Sequence, residues 1–231
     1  ESMRSKLAEY NDPRLSRAFI TKQGASGKEQ APGTADNAVY APNGSPEQGT
    51  SKYGTSLFMY SISAPTLLLS YHELKFLEAE ALCRLGRDAK SALKDAVVAG
   101  LLNAENSFSV SRKELGKTLI NPASSITDTE AESYFDNTVE AKYTAEPLKT
   151  TMTQKYFALW GASGEATESY NDVRRMKGLG ENFIELKNPN SFPLRCPYGN
   201  SDTTTNAEVK AAYGNGQYVY SENVWWAGGS R

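Results

Sequence analysis

From residue 70 onward, polar and apolar positions follow a helical period. Ser70-Tyr71-His72-Glu73 is a capping box: the Ser70 hydroxyl is placed for the Glu73 backbone N–H and the Glu73 carboxylate is placed to reach back. Leu74, Leu77, Ala81 and Leu85 then fall on one face, and Gly86 supplies a left-handed stop. Ala89, Ala92, Leu93, Ala96 and Val97 recur at three-to-four spacing in a second helix, predicted to end near Gly100. Two antiparallel helices joined by a short turn make a helical hairpin. The small residues Ala79 and Ala81 against Ala89 and Ala92 let the axes approach closely.

That geometry is of the tetratricopeptide type, whose hairpins repeat at about 34 residues and need about three copies to bury their faces. Only one copy is clear, which predicts stacking partners outside this chain or irregular neighbours within it. Further helices follow. Thr127 and Glu130 form a second capping box, with Ala131, Phe135, Val139 and Lys142 on one face. Pro147 opens a helix over 148–160 carrying Met152, Tyr156 and Leu159, and a short helix over 167–177 stops at Gly178. Residues 21–65 and 187–216 are dense in Gly, Pro, Asn, Ser and Thr with weak periodicity, and read as irregular. The expected fold is all-α, mainly helical, in one region. A loop-rich segment (1–66) precedes a tetratricopeptide-like hairpin (67–104), a helical segment (105–186) and an irregular C-terminal segment (187–231).

Charge narrows the partners. With 25 Lys+Arg against 27 Asp+Glu among 231 residues, the chain lacks the strong basic excess of a nucleic-acid-binding domain. The longest aliphatic run, residues 67–69, is far shorter than the ~20 residues of a bilayer span. The first ten residues hold no apolar signal region and begin at Glu1, so the expectation is that a signal was removed or that the chain starts inside a longer product.

Candidate chemistry is sparse. Cys83 and Cys196 lack metal-ligand spacing and read as ordinary thiols, with a single disulfide as the alternative. His72-Glu73 begins like a zinc-protease H-E-x-x-H, but Phe76 stands where the second histidine would be, so no metal is expected. No P-loop, dinucleotide fingerprint or nucleophile elbow occurs, and no cofactor is expected. Glycoside hydrolysis needs two facing carboxylates. Glu78 and Glu80 point to different helix faces, and Glu73 and Glu80 lie two turns apart, which leaves only carboxylates brought together from distant segments. The run Arg174-Arg175-Met176-Lys177 ends a helix, where pairing with Glu168 or Asp172 is favoured over anion binding. Trp225-Trp226 reads as a tail clasp or a stacking platform. Tyrosine is abundant, thirteen against eight Phe and three Trp. Ring faces stack on the C–H faces of sugars while hydroxyls and neighbouring Asn reach sugar hydroxyls. The candidate ligand-binding edge is therefore Tyr40, Asn43, Tyr53 and Tyr60.

Several motifs in order resemble the SusD/RagB family. Tyr71 through Ala81 followed by Leu85-Gly86 is similar to the helix that starts that family's last repeat. Gln154-Lys155-Tyr156 with Ala158-Leu159 resembles its "QKy-A" helix, and Glu168-Ser169-Tyr170-Asn171-Asp172-Val173-Arg174-Arg175 its "EaWndyRR". Pro193-Leu194-Arg195-Cys196-Pro197-Tyr198 with Asn206 is similar to its "P-R-x-x-Y…N", Asn11-Asp12-Pro13-Arg14-Leu15 to its "dPRl", and Trp225-Trp226 to its terminal "WW". Departures are Tyr170 in place of the usual Trp, Val173 in place of an aromatic, and a blurred motif at 199–202.

The resemblance implies the C-terminal half of a longer, non-catalytic lipoprotein on the cell surface at the outer membrane. Its N-terminal lipid anchor would lie outside this chain. The family implies capture of oligosaccharide, or of peptide in the RagB branch, for a partner TonB-dependent, SusC-like transporter; a tetratricopeptide-type protein-interaction module is the remaining alternative. It also implies structural roles for Glu80, Gln154, Lys155, Asn171, Arg174, Arg175, Pro193 and Arg195, and does not transfer ligand contacts.

Overall fold

The structure, a computed structural model, describes residues 2–23, 28–30, 55–116, 124–187 and 191–229. They divide into two units, Glu1–Leu186 and Lys187–Arg231.

The first unit opens with α1 (Ser2–Glu9) and α2 (Leu15–Ala18), and the chain then extends into a short antiparallel sheet. Strand β1 (Phe19–Gln23) lies between β2 (Lys28–Gln30) and β3 (Thr55–Ser56), with Phe19 opposite Ser56 and Thr21 opposite Gln30. The segment expected to be loop-rich thus holds two helices and three strands. Phe19-Ile20-Thr21 is a short aromatic and β-branched run that suits an extended, half-buried backbone, too short to show against its Gly- and Ser-rich surroundings. The molecule stays mainly helical. A 3-10 turn (Leu57–Tyr60) and a strap over 61–69 lead to α3 (Tyr71–Arg84).

The capping box at α3 forms as expected, with Glu73 N–H donating to Ser70 Oγ at 3.1 Å. The face of α3 does not. Leu74, Leu77 and Leu85 are exposed at 52, 42 and 67%, while His72, Glu73, Phe76, Ala79 and Glu80 are buried. Phe76 and Ala79 pack the helix against its neighbours, and Arg84 and the distant Arg175 neutralise the inward Glu80. Ala79, Ala89 and Ala92 are buried, whereas Ala81 points outward.

Helix α4 runs from Lys90 to Leu115, well past Gly100 and past the expected end of the hairpin. A Cβ at Gly100 would stand 3.0 Å from the Ala158 Cβ, so this glycine permits a close crossing with α7 rather than ending the helix. Leu101, Ala104 and Phe108 carry the buried stripe onward, and Gly116 at φ +50° makes the stop. Helices α5 (Asp128–Tyr134) and α6 (Glu140–Ala145) are joined without a break by a π turn, Phe135–Val139. Ala131, Phe135 and Val139 are buried as their spacing predicts, and the Lys142 ammonium lies 4.3 Å from the centre of the Tyr10 ring. Helix α7 (Pro147–Leu159) starts at its proline, and α8 (Glu168–Gly178) follows a turn over 160–167. Helices α3, α4 and α7 pack on one another around Phe76, Leu93, Leu101, Phe108 and Phe157.

The second unit holds α9 (Asn200–Thr205), α10 (Ala207–Tyr213) and a 3-10 turn (Trp225–Ala227). It is less irregular than its composition suggests. Asn206 Oδ1 accepts from the backbone of Glu208 and Val209 to start α10, and the hydroxyls of Thr203, Thr204 and Thr205 bond back to carbonyls three and four residues earlier. Trp225 is 75% exposed. Cys83 and Cys196 are free thiols. Among the described residues no helix is long and apolar enough to cross a membrane.

Candidate functional site

Of the proposed binding edge, Tyr60 is described; Tyr40, Asn43 and Tyr53 lie outside the described residues. Tyr60 closes the 3-10 turn and packs, half-buried, against the core. The turn is fixed from below by aromatic packing, with Phe58 4.7 Å from Phe108 and edge-on to Trp160 at 5.0 Å. Ser111 Oγ donates to the Leu57 carbonyl at 2.6 Å. Beside the turn a shallow groove of about 340 Å3 runs between the strap and the 160–166 turn, lined by Met59 and Ile62 and by the hydroxyl residues Thr66 and Ser163, while the Ser61 hydroxyl donates to the Phe58 carbonyl at 2.8 Å. Gly161 at φ +81° presses its backbone against the Phe58 ring, where any Cβ would clash.

Four of the motif residues read as structural, Glu80, Lys155, Asn171 and Arg175, line a second groove of about 460 Å3 between α3, α7 and α8. Its charges alternate in one chain. Arg84 grips Glu181 with both terminal nitrogens at 2.9 Å and donates from Nε to Glu80 at 2.7 Å. Arg175 holds the other side of Glu80 through two hydrogen bonds, one of 2.8 Å, and donates to Asp172 at 2.8 Å, which in turn pairs with buried Lys155 at 2.8 Å. Burial alone would raise the Glu80 carboxyl, but hydrogen bonds from Arg175 and Arg84 outweigh it and hold it below the usual range. The Arg84 bonds likewise lower Glu181. Every charge in this chain is met by its neighbour, so the groove is a brace between α3 and α8.

Other motif residues of the first unit support the same frame. Buried Gln154 donates to Tyr134 Oη at 3.1 Å. The Arg174 guanidinium lies 5.5 Å from the centre of the Tyr170 ring, so tyrosine serves as its platform. Asn171 bonds Glu168 within α8. Asp12 and Arg14 of the Asp12-Pro13-Arg14 motif are buried: Arg14 forks onto Asp12 at 2.6 and 2.8 Å and donates to the Phe157 carbonyl at 2.7 Å, tying the first turns of the unit to the end of α7. In the second unit, the backbone beside Pro193 bonds Leu194 N–H to Val219 O at 2.8 Å. There Arg195 caps a stack of two rings, 4.6 Å above Tyr198, which lies 4.3 Å from Tyr213.

Sequence spacing missed one feature. Glu73 meets Glu165, from the turn before α8, with His72 beside them; this is the carboxylate pair from distant segments left open by the sequence. Burial, then the hydrogen bond and charge of Glu165, push Glu73 up to about 7, while burial pushes His72 down. The glycines at 161 and 164, flanking a short polar turn, were the available signal that something packs tightly there. Among the described residues no group of three or more His, Cys, Asp or Glu is placed to hold a metal ion.

A family model described as starch-binding and associating with the outer membrane matches residues 1–198. A solved SusD/RagB family protein from Bacteroides thetaiotaomicron is similar over the whole chain, with 65% identity and a TM-score of 0.90; the match covers 100% of this chain and 50% of that one. A second solved structure, a candidate outer-membrane nutrient-binding protein from Bacteroides vulgatus, is 22% identical with a TM-score of 0.63. It covers 97% of this chain and 50% of its own, and shares the fold. The chain thus spans half the length of both. No curated protein matches it.

Proposed function

The chain belongs to the SusD/RagB family, and on that premise we propose that it captures oligosaccharide at the cell surface, without catalysis, for uptake through a partner TonB-dependent, SusC-like transporter. The observation that carries this reading is the agreement of the starch-binding family match over residues 1–198 with 65% identity to a SusD/RagB protein along the entire chain. The site chemistry supports it. The groove offers groups that sugar recognition uses, apolar walls at Met59 and Ile62 and hydroxyls at Thr66 and Ser163, with half-buried Tyr60 in the adjoining 3-10 turn. Tyr40, Asn43 and Tyr53 extend the same edge in this proposal. Glu80 and Asp172 of the second groove are engaged by arginine and lysine, which suits a brace rather than an acid and nucleophile pair. A lipid anchor in the longer protein would hold it at the outer membrane.

Native gels containing soluble polysaccharides test this directly, with calorimetry against a mixed peptide pool beside them. Retardation by a polysaccharide supports glycan capture. No retardation together with heat from peptides moves the chain to the peptide-capturing branch, and silence in both removes the binding reading.

A further inference from the structure

The second unit turns back on itself after α10, at Gly214-Asn215-Gly216. Both glycines have positive φ, +57° and +70°, a conformation that glycine adopts at little cost. Asn215 is exposed and Gly216 is buried. Asn215 Oδ1 accepts from the Gln217 N–H at 3.1 Å, which bends the carboxamide back toward the chain that follows. Gly216 is held at three points. Its N–H donates to the Tyr213 carbonyl at 2.9 Å, its carbonyl accepts from the Tyr198 N–H at 3.2 Å, and a Cβ built on it would stand 2.8 Å from the Tyr198 Cβ. Tyr198 in turn stacks on Tyr213 beneath Arg195.

An asparagine followed by glycine is open to attack from its own backbone, because no side chain on the next residue shields the amide nitrogen. We propose that Asn215 is a self-modification site, converted without an enzyme to isoaspartate, and that the Tyr213–Gly216 hydrogen bond gates the conversion. In the first step the Gly216 nitrogen gives up its proton and bonds to Asn215 Cγ; the Cγ–Nδ2 bond breaks, Nδ2 leaves as ammonia with one proton gained, and a succinimide ring closes. Water then adds to a ring carbonyl. Opening at the main-chain carbonyl carbon of Asn215 leaves isoaspartate, with the backbone rerouted through Cγ, and opening at Cγ leaves aspartate. Water is the only co-reactant, and nothing is oxidised or reduced. The Gly216 N–H must leave the Tyr213 carbonyl before the first step, so the rate follows how often this turn opens. Isoaspartate puts an extra methylene into the backbone ahead of Gly216 and a carboxylate at a formerly neutral position. Gly216 then shifts from its seat on Tyr198, and the ring stack loosens. The conversion is a one-way mark of age on the second unit and stands whatever the cargo.

The test incubates the intact chain in mildly alkaline buffer, cuts it with trypsin and reads the peptides by mass spectrometry with fragmentation that separates isoaspartate from aspartate. Cleavage after Lys210 releases residues 211–231 as one peptide, and residues 29–52 carry Asn43-Gly44, the other Asn-Gly pair of the chain, as an internal reference. Isoaspartate at 215 accumulates with time in the folded chain, several-fold more slowly than in the same chain unfolded in guanidinium chloride. Tyr198→Ala takes away the ring behind Gly216 and raises the folded rate toward the unfolded one. In the converted fraction the Tyr198 amide, whose acceptor is the Gly216 carbonyl, loses hydrogen-exchange protection. No conversion at 215 while Asn43 converts overturns the site. Equal rates in the folded and unfolded wild-type chain overturn the gate, as does an unchanged rate in a folded Tyr198→Ala chain; the first of these comparisons needs no variant.

Discussion

Arg14 shows what a buried charge does in this molecule. Its guanidinium and the Asp12 carboxylate are both shut from water and satisfy each other, with the Phe157 carbonyl taking a further donor. Removing one partner leaves an uncompensated buried charge, so Arg14→Met lowers unfolding free energy by about 3–5 kcal/mol in urea titrations. Pairing it with Asp12→Ala recovers part of that loss. The carboxyls of α3 act in opposite directions. Glu73 sits at about 7 when folded against 4.5 ordinarily, so it binds its proton more tightly in the folded chain; its contribution is intact below about pH 4.5 and is lost as pH rises through about 7. Glu80 is held below its ordinary value, so its contribution is present above 4.5 and is lost as pH falls through the depressed value. Thermal unfolding followed against pH therefore peaks on the acid side of neutrality, and Glu73→Gln flattens the alkaline limb.

Helix α3 presents Leu74 and Leu77 to solvent and Glu73 and Glu80 to the interior. Leu74→Ala changes stability by no more than about 0.5 kcal/mol, as at an exposed site, whereas Phe76→Ala two residues away costs about 3–5 kcal/mol; denaturant midpoints separate the two. Gly164→Ala meets both a positive φ and the Leu67 carbonyl, and lowers the unfolding midpoint by more than an ordinary surface substitution. What the sequence could disclose follows from range. The starts of α3, α5 and α7 were legible because Ser70, Thr127 and Pro147 act within a turn of themselves. The end of α4 was not, because Gly100 answers to Ala158, in another helix. The inward face of α3 was not, because the cations that neutralise Glu80 include Arg175, 95 residues on. The same holds for the site: Glu80, Lys155 and Arg175 could be picked out as a motif set, but their union in one alternating chain of charges needed the fold. The Glu73–Glu165 contact had no local signature beyond two glycines.

At the scale of the whole molecule, this chain spans half the length of the solved SusD/RagB protein it matches at 65% identity. The brace between α3 and α8, the buried Asp12–Arg14 tie and the aromatic floor under Leu57–Tyr60 each fix part of the first unit. The central claim is recognition without turnover. If Tyr60 stacks on a sugar ring, Tyr60→Ala weakens polysaccharide binding by about 1–3 kcal/mol in affinity gels, measured at a temperature well below the unfolding midpoint of the variant, which also loses core packing. The most direct test incubates the chain with each polysaccharide that retards it in a native gel and assays the mixture for new reducing ends. Retardation with no reducing ends released is the predicted result; reducing ends that accumulate with time and protein concentration contradict it.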